Sequence, residues 1–192
     1  MRKLIYFVAS TLDGFIAHPD GSFGGFPWDA EYLTALLESF PETFPAHLRP
    51  GAPTRADNRR FDAVLMGRKT YEVGLREAVM SPYPTLDQYV FSRSMRESPH
   101  EDVTLVEDDV RSFVPTLKQQ DGKAIWLCGG ADLAGSLFAA GLVDELIVKL
   151  NPVVFGSGIP LVGPAIERVA LELTASFVYP SGHVRLHYSV RA

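Results

Sequence analysis

The sequence predicts an α/β fold with a mixed sheet, on three observations. Mostly apolar runs of strand length occur within residues 3–9, 61–66, 87–94 and 123–130. Segments with helical spacing lie between some of them. The last third then changes to strict alternation, the pattern of an antiparallel pair with one face covered. Buried strands alternating with helices and closed by a hairpin give this architecture. At 192 residues the chain suffices for one domain, expected to span 1–192.

The first run, "KLIYFVA", reads as a strand buried on both faces. "HPDGSFGG" (18–25) is turn chemistry. From Asp29, a suitable N-cap, Tyr32, Leu33, Leu36, Leu37 and Phe40 recur at helical spacing. Residues 41–60 keep no period and hold Pro41, Pro45, Pro50 and Pro53. A structureless excursion of that length is uncommon in a compact domain, so a flap over the substrate side or a dimer contact is expected. "FDAVLM" (61–66) is a second strand, and a short helix is expected from Thr70. "DQYVFSRS" (87–94), "VTLVED" (103–108) and "KAIWLCGG" (123–130) supply three more strands. Leu133, Ala134, Leu137 and Phe138 then share one helix face, and Gly141 stands where a glycine ends a helix. "DELIVKLNPVV" (144–154) is a strand, and 171–179 with 184–190 form the hairpin.

Composition narrows function. Hydrophobic residues make up 46% and charged residues 21%, which excludes a disordered chain. The net charge of −5, with no basic run longer than Arg59-Arg60, argues against nucleic acid. Cys128 is the only cysteine, so no disulfide forms within the chain and a reducing cytoplasm is expected. The apolar run near the N-terminus is shorter than a signal core, and no run has the length of a membrane helix. The five histidines show no metal-ligand spacing, so no metal is expected.

Three strands end in similar punctuation: Gly67-Arg68-Lys69-Thr70, Ser92-Arg93-Ser94 and Gly129-Gly130. In open α/β sheets, ligands bind outside the carboxyl ends of the strands. Helix N-termini starting there offer amides and partial positive charge to an anion, and glycine lets the backbone approach closely. A solvated charged turn and an anion site both remain open for "GRKT" taken alone. It is not a phosphate-binding P-loop, because Asp62 stands where that motif requires glycine.

Beyond these pieces the chain resembles a known family. "VASTLDGFIAHPDG", "VLMGRKTYE", "GGADLAGSLFAAGLVDEL" and "NPVVFGSGIPL" are similar to segments of the dihydrofolate-reductase-like superfamily. They are most similar to its branch related to the C-terminal reductase domain of riboflavin biosynthesis. The resemblance implies a three-layer α/β/α fold with a mixed, mainly parallel sheet, an NADPH cofactor and a homodimer. It implies that Ala9 and Ile16 flank the nicotinamide. Gly67, Arg68, Lys69 and Thr70 would hold phosphates, and Ser92 and Arg93 would meet the adenosine ribose and its 2′-phosphate. Gly129, Gly130, Ala131, Asp132 and Leu133 would wrap the pyrophosphate. A guanidinium suits phosphate geometry, which favours NADPH over NADH.

The resemblance has limits. Folate reductases carry an acid about five residues past a Pro-Trp pair; here Leu33 follows Pro27-Trp28. Pyrimidine reductases commonly have glutamate before the glycine pair; here Cys128 stands there. The deaminase motif of the riboflavin enzyme, His-x-Glu with Pro-Cys-x-x-Cys, does not occur. Asp13, Asp29 and Glu31 remain as carboxylates near the nicotinamide, each with a structural alternative as loop anchor, helix cap or solvated charge. Trp28 is a loop anchor or a platform for a small heteroaromatic or imine-like substrate, pyrimidine- or pterin-like, facing Gly156-Ser157-Gly158. An NADPH-dependent reductase is the expected activity. An NADP(H)-binding protein without turnover is the rival.

Overall fold

A computed structural model describes residues 1–49, 51–164, 166 and 168–191. Its centre is β1 (Leu4–Thr11), in which Leu4, Ile5 and Tyr6 are fully buried because both faces of the sheet are covered. Parallel neighbours flank it: β6 (Ala124–Gly129) on one side and β7 (Glu145–Asn151) on the other. Beyond β6 come β3 (Phe61–Gly67), β4 (Asp87–Phe91) and β5 (Val103–Val106), again all parallel. Beyond β7 the direction reverses with β10 (Val184–Arg191) and β9 (Ala170–Val178). The order is β5-β4-β3-β6-β1-β7-β10-β9, with β2 (Phe15–Ala17) and β8 (Ile159–Pro160) forming a separate small pair. The mixed, mainly parallel sheet with its terminal hairpin is as the sequence predicts.

Helices cover both faces. Tyr32, Leu36 and Phe40 of and after α1 (Ala30–Ser39), with Tyr71 of α2 (Arg68–Arg76), pack on Ile5, Phe7, Phe61 and Ile147. On the other face α3 (Val110–Gln119) and α4 (Ala131–Ala139) cover Leu4, Tyr6, Leu65 and Leu127. Successive strand residues thus feed opposite layers, giving three layers. Gly141, at φ 65°, ends α4 as expected, its amide donating to Phe138. No helix of the described residues is long and apolar enough to cross a membrane.

Two features were not foreseen. Helix α3 is hidden in "DDVRSFVPTLKQQ", where Pro115 and flanking acids obscure the inward spacing of Val110, Val114 and Leu117. Asp109 caps it, accepting the Arg111 amide at 2.8 Å. The excursion at 41–60 is not structureless either: it holds three short 3-10 turns at Pro41–Thr43, Ala46–Leu48 and Arg55–Asp57. Buried Glu42 accepts the amides of Arg60 and Phe61 at 2.6 Å each and of Arg59 at 3.1 Å. Asn58 donates to the Thr85 carbonyl, and Arg55 grips Asp87 with two bonds. These anchors lie at the amino ends of β3 and β4. A flap over the carboxyl ends would not be hinged there.

Candidate active site

Two helices begin side by side at the carboxyl end of the sheet. Strand β3 passes directly into α2 at Gly67, and its neighbour β6 passes into α4 at Gly130. Neither N-cap glycine has a side chain to accept the first amides, so both N-termini present donors and positive partial charge. The loops touch. A Cβ on Gly67 would lie 3.5 Å from the Gly130 nitrogen, and one on Gly130 would lie 3.3 Å from Thr70 Oγ1. Gly129 has φ 138°, a conformation that suits glycine, and its peptide to Gly130 is cis. The structure therefore brings Gly67, Thr70, Gly129 and Gly130 together.

Ser92 follows the adjacent strand β4, and its Oγ accepts the amides of Ser94 and Met95 at 3.2 and 2.9 Å. Lys69, Arg93 and Asp132 are exposed. Arg68 forms an i,i+4 pair with Glu72 at 2.7 Å. Ala131 and Leu133 turn their side chains into the core, leaving only their backbone for a ligand.

The loop after β1 is built around Asp13. Its Oδ1 accepts the Thr11 hydroxyl at 2.6 Å and the Phe155 amide at 3.2 Å. Its Oδ2 accepts the Gly156 amide at 2.7 Å. The Thr11 hydroxyl, then those two amides, holds the carboxyl below the ordinary carboxylate range although it is exposed. That is the state of an acceptor and loop clamp. Ile16 packs against the core, and Ala9 is paired across to Lys149 of β7.

Asp29 caps α1, Oδ1 accepting the Tyr32 amide at 2.8 Å, as its position predicts. Trp28, just before it, is 75% exposed and so has a free face for a ligand. Buried His183 fixes this entry loop: its Nε2 is 3.2 Å from the Pro27 carbonyl, and its ring stacks on Tyr32 at 4.3 Å.

Sequence reasoning missed the group beneath α1. Part of Lys149 touches solvent, but its Nζ sits 4.2 Å over the Phe7 ring, and burial lowers its pKa to about 8. Burial likewise pushes the Cys128 thiol up to about 11, so it stays a thiol at neutral pH. Arg185 of β10 is 6% exposed, its guanidinium lying 4.3 Å from the Phe177 ring and 5.3 Å from that of Phe40. The available signal was a lysine within the apolar run of residues 144–154; Arg185 falls on the polar alternate of the hairpin and left none.

Comparison with known proteins bears on the family and the fold. The family model described as the RibD C-terminal domain matches residues 2–184. A Bacillus subtilis (strain 168) protein, "Uncharacterized protein YwjB", is 32% identical over 191 residues, covering 100% of this chain and 99% of the relative. Among solved structures, a Shewanella sp. PV-4 protein named for riboflavin biosynthesis has a TM-score of 0.74 at 24% identity, covering 99% of each chain. Dihydrofolate reductase from Enterococcus faecalis, complexed with NADP(H) and RAB-propyl, has a TM-score of 0.65 at 18% identity, covering 99% of this chain and 97% of that one. These two likenesses concern the fold.

Proposed function

The chain belongs to the RibD C-terminal domain family, and from that premise we propose that it is an NADPH-dependent reductase of a small heteroaromatic or imine-like substrate. The observation that carries this reading is the pair of adjoining, glycine-capped helix N-termini, with Gly130 so close to Thr70 Oγ1 that a side chain would crowd the cradle. Such a cradle fits a pyrophosphate, because amide donors and helix dipoles converge where backbone can approach closely. Gly67, Thr70, Gly129 and Gly130, with the amides of Ala131, Asp132 and Leu133, would hold that part of the cofactor. Lys69, Arg93 and Ser92 would meet the ribose and 2′-phosphate, with Arg68 joining them on leaving Glu72.

Bound NADPH would supply hydride chemistry. The chain's own contribution is placement and the exclusion of water. Ala9 and Ile16 would border the nicotinamide, and Asp13 would hold Phe155 and Gly156 against the β1 loop. Trp28 and Asp29, at the start of α1, would border the substrate opposite residues 156–158. A homodimer is part of the proposal: Leu173 and Val178 on edge strand β9 are 53% and 76% exposed, and an edge offers unpaired backbone to a second copy.

One observation favours a second reading, cofactor binding without turnover: Leu33 and Cys128 stand where the resembling reductases carry acids. The separating experiment follows NADPH oxidation optically against pterins, pyrimidines and cyclic imines. Turnover of any of them supports the reductase. NADPH binding with no oxidation across the panel supports the second reading.

A further inference from the structure

Lys149 and Arg185 stand directly opposite each other across β7 and β10. Opposed residues of an antiparallel pair have Cβ atoms about 4.5–5.5 Å apart, and like charges there are destabilising. Neither cation is neutralised among the described residues. Cys128 lies close enough for its charge to bear on Lys149, but its thiol is protonated at neutral pH. Arg185 Nε and Nη1 are buried without a hydrogen-bond partner. The rings of Phe40 and Phe177 attract the guanidinium's faces, but Nε–H and the Nη1 protons in its plane stay unsatisfied.

The unpartnered atoms cluster. Tyr32 Oη and His187 Nε2, also buried without partners, lie in the same layer beneath α1. A continuous aromatic floor joins the cations: Lys149 lies over Phe7, Phe7 packs on Phe40 at 4.6 Å, and Arg185 lies over Phe40. Because Lys149 is registered with Ala9, this floor adjoins the position assigned above to the nicotinamide. Burying polar groups without partners is costly, and an unpaired buried charge more so. A buried guanidinium held that way, opposed by a half-buried ammonium over flat rings, has the form of a receptor.

We propose that Lys149 and Arg185 receive an oxyanion of the substrate, so that the substrate is a planar anionic heteroaromatic compound and not a protonated one. The inference rests on the reductase reading for its location next to the cofactor. It accounts for the residues at 33 and 128. A site that receives an anion has no use for the carboxylate that grips a protonated ring, and a carboxylate at either position would compete for the cations.

The test is calorimetric titration of the NADP⁺-saturated protein with three flat pyrimidines: orotate, which is anionic, uracil, which is neutral, and 2,4-diaminopyrimidine, which protonates readily. Orotate is expected to bind at least about tenfold more tightly than the other two, the scale of one lost charge-assisted contact. Lys149→Met is expected to lose at least about tenfold in orotate affinity while NADP⁺ affinity and thermal midpoint are not reduced, since its removal relieves the like-charge opposition to Arg185. Lys149→Gln serves the same purpose if the methionine variant does not fold, and Lys149→Arg should retain binding. Absent orotate binding, preference for 2,4-diaminopyrimidine, or undiminished orotate binding by the uncharged variants overturns the proposal. If NADP⁺ itself does not bind, the reductase reading fails, and the same three titrations on the free protein decide the anion site by the same criteria.

Discussion

Asp13 shows how a carboxylate near a proposed reaction centre can be spoken for. Three donors use both its oxygens and lower its pKa, so at neutral pH it has no proton to give. Asp13→Asn keeps the shape but replaces one acceptor oxygen by an amide facing N–H donors. Turnover is expected to fall by less than about tenfold, with the pH profile unchanged, because an orienting hydrogen bond is worth about 0.5–1.5 kcal/mol. General acid catalysis contributes about 10²–10⁴-fold, so a loss of a hundredfold with a flattened profile would restore Asp13 as the acid. At this scale three similar strand ends and the family resemblance singled out Gly67, Thr70, Gly129 and Gly130, and the structure makes them neighbours. Lys149, His183 and Arg185 were not legible in the sequence. Their importance comes from cross-strand pairing and from stacking across long sequence separations, neither of which leaves a local motif.

The elements follow the sequence wherever hydrophobic periodicity is strong. Strands β1, β3 and β6 are apolar runs because both faces are covered, and α1 and α4 show clear inward stripes. Helix α3 escaped because a proline inside a polar segment reads as a break, although Asp109, Val114 and Leu117 supply the cap and the buried face. The excursion at 41–60 escaped because its order comes from side-chain-to-backbone bonds instead of periodicity. Glu42 is its principal anchor, with three amides on one buried carboxylate. Glu42→Ala removes charge-assisted bonds and leaves three donors without a partner. A loss of about 3 kcal/mol in chemical denaturation is expected, with NADPH affinity of the folded protein unchanged. A loss below about 1 kcal/mol would mean that water replaces the carboxylate and that the excursion is held elsewhere.

For the whole molecule, the centre of the sheet and its β9 edge are unlike. The central strands are sealed between helical layers, whereas β9 is exposed along nearly its whole length and carries Leu171, Leu173, Phe177 and Val178 to solvent. An edge of this kind is a template for association unless it is covered. Light scattering is expected to give twice the chain mass for the parent protein and the single mass for Leu173→Lys. A monomeric parent would remove the dimer from the account.

The central claim concerns the carboxyl ends of β3, β4 and β6, where the glycine-capped helices and the cations of α2 and the β4 loop would face one cofactor. A charge-assisted hydrogen bond to the 2′-phosphate is worth about 1.5–3 kcal/mol. Calorimetric titration with NADPH and NADH in the same buffer measures that preference directly. NADPH is expected to bind about ten- to a hundredfold more tightly, with the difference shrinking as salt is raised. Equal dissociation constants for the two, or no binding of either, would contradict the account.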